Sequence, residues 1–264
     1  MDTAIPTHSV DQLLGTVGTA LVPQIVDVRR ARAFDSEPVL IPGALRRLPA
    51  TIAAWARSLD RMRPVVVYCV HGHEVSQSTT RMLLETGLDA RFLAGGMQAW
   101  REAGAPVVRR LPALDLPGAS ASRWVTRERP KIDRIACPWL IRRFIDPYAE
   151  FLYVPAAEVS AVAARERAIP FDVPEVQFEH RGERCTFDAI LEDFGLVSPP
   201  LARLAAIVRG ADTGRPDLAP EAAGLLAVSR GLGINYPDDH ALLALGMEVY
   251  DALYAWCREA SARR

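Results

Sequence analysis

The sequence predicts an α/β domain, a parallel sheet with flanking helices, followed by a mainly helical α+β domain. Three observations carry this reading. Short strand-like runs at Gln24–Val28, Val65–Tyr68 and Arg91–Ala94 alternate with helical patterns, as parallel strands joined by helical crossovers do. The stretch APVVRRLPALDLPGASAS, residues 105–122, then breaks every period with three prolines and a glycine. After Trp124 long helical patterns dominate, with two short strand-like runs between them. These limits set one domain at 1–108, a linker at 109–122 and a second domain at 123–264.

In the first domain, Ser9 with Gln12 three residues on is a capping-box pattern, and Val10, Leu13, Leu14 and Val17 form an apolar stripe. Gln24–Val28 reads as a short strand and Ile41-Pro42-Gly43-Ala44 as a turn. Thr51–Leu59 reads as a helix with Ile52, Trp55 and Leu59 on one face. Arg91–Ala94 is a strand, and Gly96 opens a short helix through Arg101.

The chain is organised around PVVVYCVHGHEVS, residues 64–76. Val65-Val66-Val67-Tyr68 is a continuous apolar run of strand length, suited to burial on both faces. Cys69 ends it. Val70-His71-Gly72-His73-Glu74-Val75 reads as a tight loop, and a helical pattern takes over from about Ser76 and stops at Gly87. A loop folded against a helix N-terminus directs successive backbone N–H groups at one spot, where the helix dipole adds positive potential. Such a setting favours a thiolate nucleophile. A lone cysteine is otherwise most often a small buried hydrophobe, so the residues alone leave both readings of Cys69 open.

Four separated signatures, in order, decide between them. They are Ile25-Val26-Asp27-Val28-Arg29, Ile41-Pro42-Gly43-Ala44, the Cys69 loop, and Gly95-Gly96 with Trp100 four residues later. Together they resemble the rhodanese sulfurtransferase family over the first hundred or so residues. The resemblance implies that Cys69 takes a sulfane sulfur and carries it as a persulfide, cradled by the N–H groups of Val70, His71, Gly72, His73, Glu74 and Val75. The donor would be thiosulfate or another persulfide, the acceptor a thiol or cyanide, and sulfur transfer would need no cofactor. The loop arginine of the phosphatase relatives in this superfamily is missing, which argues against phosphatase chemistry. His71 and His73 are either anion-binding partners or bystanders. Asp27 and Arg29 are expected to brace the strand end.

In the second domain Pro138 is placed in the first turn of a helix running to about Ile145, with Trp139, Leu140 and Phe144 inward. Ala149–Val154 and Glu175–Phe178 read as strands. Ala156–Arg167, Phe187–Phe194, Pro200–Arg209, Pro220–Leu232 and Asp238–Arg258 read as helices. The block PKIDRIACPWLIRRFIDP with Phe151-Leu152-Tyr153-Val154-Pro155, His180, Cys185-Thr186-Phe187-Asp188, Ile207-Val208-Arg209-Gly210-Ala211-Asp212 and Asp251-Ala252-Leu253-Tyr254 resembles the C-terminal domain of the ChrB chromate-resistance family. That resemblance implies a link to chromate sensing or resistance.

Asp133, His180, Cys185, Asp188 and Asp212 are candidate ligands for a divalent metal, scattered so widely that only folding gathers them. Helix caps and ion pairs explain the same residues without a metal. Arg134, Arg142 and Arg143 are candidates for binding an oxyanion such as chromate or sulfate. A solvated basic face is the alternative.

The four cysteines are far apart and form no CxxC pair, so neither a zinc ribbon nor a disulfide framework is expected. A net charge of −1 and no helix-turn-helix spacing argue against nucleic acid. No apolar run is long enough to cross a bilayer, and the N-terminus lacks the basic and apolar regions of a secretory signal. The sequence therefore predicts a soluble, cytoplasmic, rhodanese-type sulfurtransferase linked to chromate resistance or sulfur stress. The alternative is a chromate- or metal-responsive regulator whose first domain binds an oxyanion without turnover.

Overall fold

A computed structural model of the chain describes residues 4–117 and 120–263. The chain divides into one compact unit of residues 1–120 with 143–146, and another of residues 121–142 with 147–264. Residues 118 and 119 of the expected linker lie outside the described residues.

The first unit holds β1 (Thr7–His8), α1 (Val10–Thr16), β2 (Gln24–Asp27), α2 (Ala31–Ser36), β3 (Val39–Leu40), β4 (Ala44–Arg46), α3 (Ile52–Trp55), β5 (Val65–Tyr68), α4 (Glu74–Glu85), β6 (Ala90–Leu93), α5 (Gly96–Glu102) and β7 (Val108–Arg109). The order β1-β6-β5-β2-β4 makes a five-stranded sheet in which every pairing is parallel. β5 lies at its centre, and all four of its residues are fully buried. A strand covered on both faces must be apolar throughout, which is why it reads as an unbroken run. β3 and β7 pair antiparallel, so part of the stretch expected as linker is tied to the domain. The helix expected over Thr51–Leu59 is shorter. Only Ile52–Trp55 is α-helical, between 3-10 turns at Pro49–Thr51 and Ala56–Ser58, but Ile52, Trp55 and Leu59 do face the core.

The Asp27 carboxylate is the polar centre of this unit. Arg29, buried beside it, donates to it from Nε and Nη2, and to the carbonyls of Glu37 and Val39. The Tyr68 hydroxyl donates to Asp27 Oδ2 at 3.1 Å and accepts from Ile41 N–H. A buried ion pair is tolerable only when its remaining donors and acceptors are met, as they are here. The network anchors the last residue of β5, one position before Cys69.

The second unit holds β8 (Arg123–Arg127), α6 (Asp133–Leu140), β9 (Glu150–Val154), α7 (Val159–Glu166), β10 (Ile169–Pro170), α8 (Thr186–Phe194), α9 (Pro199–Asp212), α10 (Ala222–Asn235) and α11 (Asp239–Ala262). Its sheet has the order β10-β8-β9, again all parallel. Trp124 of β8 is fully buried against Phe171 and Phe178. Two expectations need correcting. Glu175–Phe178 is not a strand. Glu175 follows Pro174 and has φ 63°, outside the strand region, and only Phe178 makes an isolated bridge, to Phe171. Phe178 signals core packing rather than pairing.

The second correction concerns Pro138. It lies inside α6, which starts at Asp133, and the chain continues as a π-helical turn over Ile141–Ile145. Proline lacks an N–H, so the carbonyl four residues earlier loses its helical partner. That carbonyl is Arg134 O, and it accepts from the Tyr153 hydroxyl of β9 at 3.0 Å. The side chain replaces the missing backbone donor. Removing it in Tyr153→Phe is expected to cost about 1–3 kcal/mol in chemical denaturation. Pro138→Ala restores an N–H, so it is expected to recover most of the loss in the double variant. Equal losses with and without Pro138 would contradict the pairing.

Candidate functional site

Cys69 follows β5, and α4 begins at Glu74, slightly earlier than the sequence suggests. The turn between them is held from one side. Cys69 O accepts from Met97 N–H and Val70 O from Gln98 N–H, both at 2.9 Å, and both donors lie in the first turn of α5. Gly72 O accepts from Gln77 Nε2 at 3.0 Å, and His73 O from Gln77 N–H. In a trans peptide the carbonyl and the next residue's N–H point in opposite directions. Tying these carbonyls down therefore turns the following N–H groups the other way. Among the described residues, no N–H from Val70 to Ser76 donates to a protein acceptor. Such a row of free N–H groups at the start of a helix is an anion cradle.

The close approach of α5 explains the glycine pair. Gly96 has φ 59°, and a Cβ there would lie 2.5 Å from Cys69 O and 2.6 Å from Gly72 N. Gly72 has φ 69°, and a Cβ there would lie 2.6 Å from Leu93 O. Neither position admits a side chain.

Cys69 Sγ lies 3.2 Å from the Ser76 hydroxyl. That hydroxyl donates to His73 O at 3.1 Å, which leaves its lone pairs toward the sulfur. His71 Nδ1 meets Gln98 Oε1 at 2.6 Å, while the imidazoles of His71 and His73 are exposed. All four cysteines are buried. Burial pushes Cys137 and Cys185 well above the ordinary thiol value, and nearby carboxylates, Asp133 first, add to it. Burial pushes Cys257 up to about 11.

The second unit gathers a polar cluster. Asp133 starts α6, Asp212 ends α9, and His180 lies in the segment before α8. One ligand atom from each lies within 4.8 Å of the others. His180 Nε2 is 3.1 Å from Asp212 Oδ2, 3.4 Å from Asp133 Oδ2 and 3.5 Å from Asp172 Oδ1. Asp133 is 1% exposed, and its carboxylate also accepts from Thr186 N–H at 2.6 Å and Phe187 N–H at 3.4 Å. Asp172 accepts from the Thr186 hydroxyl and pairs with Arg127 and Arg134.

The charges shift accordingly. Hydrogen bonds that His180 donates to Asp133, then to Asp172, push its imidazole up to about 10. Burial, then the neighbouring carboxylates, push Asp212 up to about 7. Burial also raises Asp133, against the pull of His180. Burial acts the same way on Asp172, but His180, Thr186 and the two arginines outweigh it and hold that carboxyl low.

Comparison with known proteins places both units. Residues 8–103 match the rhodanese-like domain, and residues 124–257, half the chain, match the ChrB C-terminal domain. The chain belongs to the ChrB C-terminal domain family. Protein ChrB from Cupriavidus metallidurans is 38% identical over 149 residues, covering 56% of this chain and 44% of that protein. The chain thus spans less than half the length of that ChrB relative. Its rhodanese-like domain is 38% identical over 98 residues to the thiosulfate sulfurtransferase GlpE of Shewanella oneidensis, covering 37% of this chain and 93% of GlpE. A rhodanese-related protein from Thermoplasma volcanium matches with a TM-score of 0.35 and 24% identity, covering 39% of this chain and 97% of that one.

Within the rhodanese-like domain, the expected cradle residues Val70–Val75 form the turn after Cys69, and among the described residues their N–H groups donate to no protein acceptor. Ser76, Gln77 and Gln98 are additional contacts, and as polar residues on helix turns they carry no distinctive pattern. Within the ChrB domain the expected ligand set divides. Asp133, His180 and Asp212 converge, joined by Asp172, which no motif marks. Cys185 and Asp188 serve α8 instead. Cys185 is its N-cap residue, and Asp188 accepts its N–H and pairs with Arg209. The expected oxyanion arginines also have structural partners. Arg134 donates to the carbonyls of Arg127 and Glu128 and pairs with Asp172. Arg142 donates to Ala149 O and lies over the Phe151 ring, and Arg143 is half-buried in the π-helical turn. Nearby carbonyls and carboxylates claim the first two guanidinium groups before an external anion can.

Gly96 and Gly104 provide an internal control. Both have positive φ, but a Cβ at Gly104 meets nothing within 4 Å. Gly96→Ala is expected to lower stability by about 1–3 kcal/mol more than Gly104→Ala in urea denaturation. Equal losses would mean that α5 does not hold the Cys69 turn.

Proposed function

We propose that the rhodanese-like domain is a sulfurtransferase that carries sulfur as a Cys69 persulfide. The row of unpaired N–H groups from Val70 to Ser76 is the observation that carries this reading. Thiolate Cys69 attacks the outer sulfur of thiosulfate, the sulfur–sulfur bond of the donor breaks, and sulfite leaves with the electron pair. The N–H groups stabilise the anionic sulfur during attack and afterwards. A thiolate or cyanide acceptor then attacks the outer sulfur and restores Cys69. Likeness to GlpE supports thiosulfate as donor. The ChrB domain supports placing this activity in chromate resistance or the sulfur stress that accompanies it.

The role of Ser76 follows from its position. Its hydroxyl lies 3.2 Å from the sulfur, where it accepts from the Cys69 thiol or donates to the thiolate, and it holds the sulfur toward the cradle. Ser76 positions Cys69 and takes no part in bond making.

Steady-state transfer from thiosulfate to cyanide by the full chain tests the assignment. Cys69→Ser is expected to lower kcat by about 10³-fold or more, the scale on which nucleophile removal acts. Cys137→Ser and Cys257→Ser are expected to leave it unchanged. A Cys69→Ser protein with undiminished turnover would refute the reading. A wild-type protein that binds thiosulfate but never turns over would favour an oxyanion-responsive regulator.

A further inference from the structure

Three carboxylates in the ChrB domain converge on one imidazole nitrogen. His180 Nε2 carries at most one proton, and one N–H is well aligned with only one acceptor. Yet oxygens of Asp212, Asp133 and Asp172 lie 3.1, 3.4 and 3.5 Å from it. Asp172 has cations of its own in Arg127 and Arg134. Asp133 and Asp212 share the single imidazole. Asp212 is also the last residue of α9, where the helix dipole is negative and a carboxylate is disfavoured. A single N–H on His180 cannot serve both carboxylates at once.

The spacing has a second meaning. A metal ion with bonds of roughly 2.1 Å sets its ligands about 3.0 Å apart in an octahedron and about 3.4 Å apart in a tetrahedron. The distances from His180 Nε2 to the two aspartates fall in that range. A cation seated among these atoms replaces one oversubscribed hydrogen bond by separate bonds to each donor.

We infer that Asp133, His180 and Asp212 form a binding site for one divalent first-row metal ion, with Asp172 and its two arginines closing one side. The donor set fixes the class of metal. Carboxylate oxygens with one imidazole suit Mn²⁺, Fe²⁺ or Zn²⁺, whereas Mg²⁺ and Ca²⁺ favour oxygen alone and Cu⁺ favours thiolates. The Cys185 thiol donates to Asp188 at 3.5 Å and stands outside the convergent set of Asp133, His180 and Asp212. The carboxylates also hold hydrogen bonds that orient them, since Asp133 accepts from Thr186 and Phe187 and Asp172 from the Thr186 hydroxyl. The His180 side is open. Its side chain is 43% exposed, against 1% for Asp133 and 19% for Asp212. A metal there keeps positions for water or an anionic ligand on the solvent side. The inference stands apart from the sulfurtransferase reading, because no residue of the Cys69 turn enters it.

Manganese itself is the probe. Full-length protein is stripped with chelator and titrated with Mn²⁺, and the free-ion signal is followed by electron paramagnetic resonance. The site predicts suppression of that signal up to one ion per chain. It also predicts nitrogen modulation in the spin-echo spectrum of the bound ion, from His180. In Asp212→Asn and His180→Gln, checked for wild-type circular dichroism, affinity is expected to fall by more than about tenfold, because even residues behind a metal ligand are worth about 10–100-fold. No retained Mn²⁺, no nitrogen coupling in the wild-type protein, or unchanged affinity in a folded variant would overturn the assignment.

Discussion

The Cys69 turn depends on the planarity of the peptide bond. A carbonyl fixed in one direction sends the following N–H the opposite way. The first turn of α5 captures the carbonyls of Cys69 and Val70, and Gln77 captures those of Gly72 and His73. The N–H groups between β5 and α4 are thereby presented together and, among the described residues, left without protein partners. Everything else in the first unit serves that geometry. The parallel sheet brings the ends of β5 and β6 to one edge, so α5 can reach the turn that follows β5. Gly72 and Gly96 let the two backbones meet. The Asp27–Arg29–Tyr68 network fixes the strand end on which the sulfur sits.

A different constraint shapes the second unit. Asp133 is almost wholly buried, yet its carboxylate is placed where two helices begin. It stands in the first turn of α6 and accepts the first free N–H groups of α8, both favourable positions for an anion. Pro138 within α6 is accommodated because Tyr153 supplies the donor that proline lacks. Sheet, helix and cluster are thus tied by hydrogen bonds to backbone groups that would otherwise be buried without partners. No helix among the described residues is long and apolar enough to cross a membrane.

The sequence made the first fold legible because its signals are local. The unbroken apolar run of β5, the glycine pair and the Ser9–Gln12 capping box each state their structure within a few residues, and the cap forms as expected. Ser76, Gln77 and Gln98 were hidden because their roles depend on which backbone atoms fold next to them. In the second unit, residue types alone marked the candidate ligands. They did not separate a residue that converges on others, such as His180 or Asp212, from one that serves its own helix, such as Cys185 or Asp188. Asp172 was invisible for a related reason. It lies just after β10, and only the pairing of β10 with β8 carries it to Arg127.

The central claim is that sulfur is carried covalently on Cys69. Mass spectrometry of the full chain after brief exposure to thiosulfate, followed by peptide mapping, tests it most directly. The account predicts one added sulfur atom, located on the peptide that contains Cys69 and removed by cyanide. Added sulfur on Cys137, Cys185 or Cys257 instead, or none on any cysteine of an active protein, would contradict it.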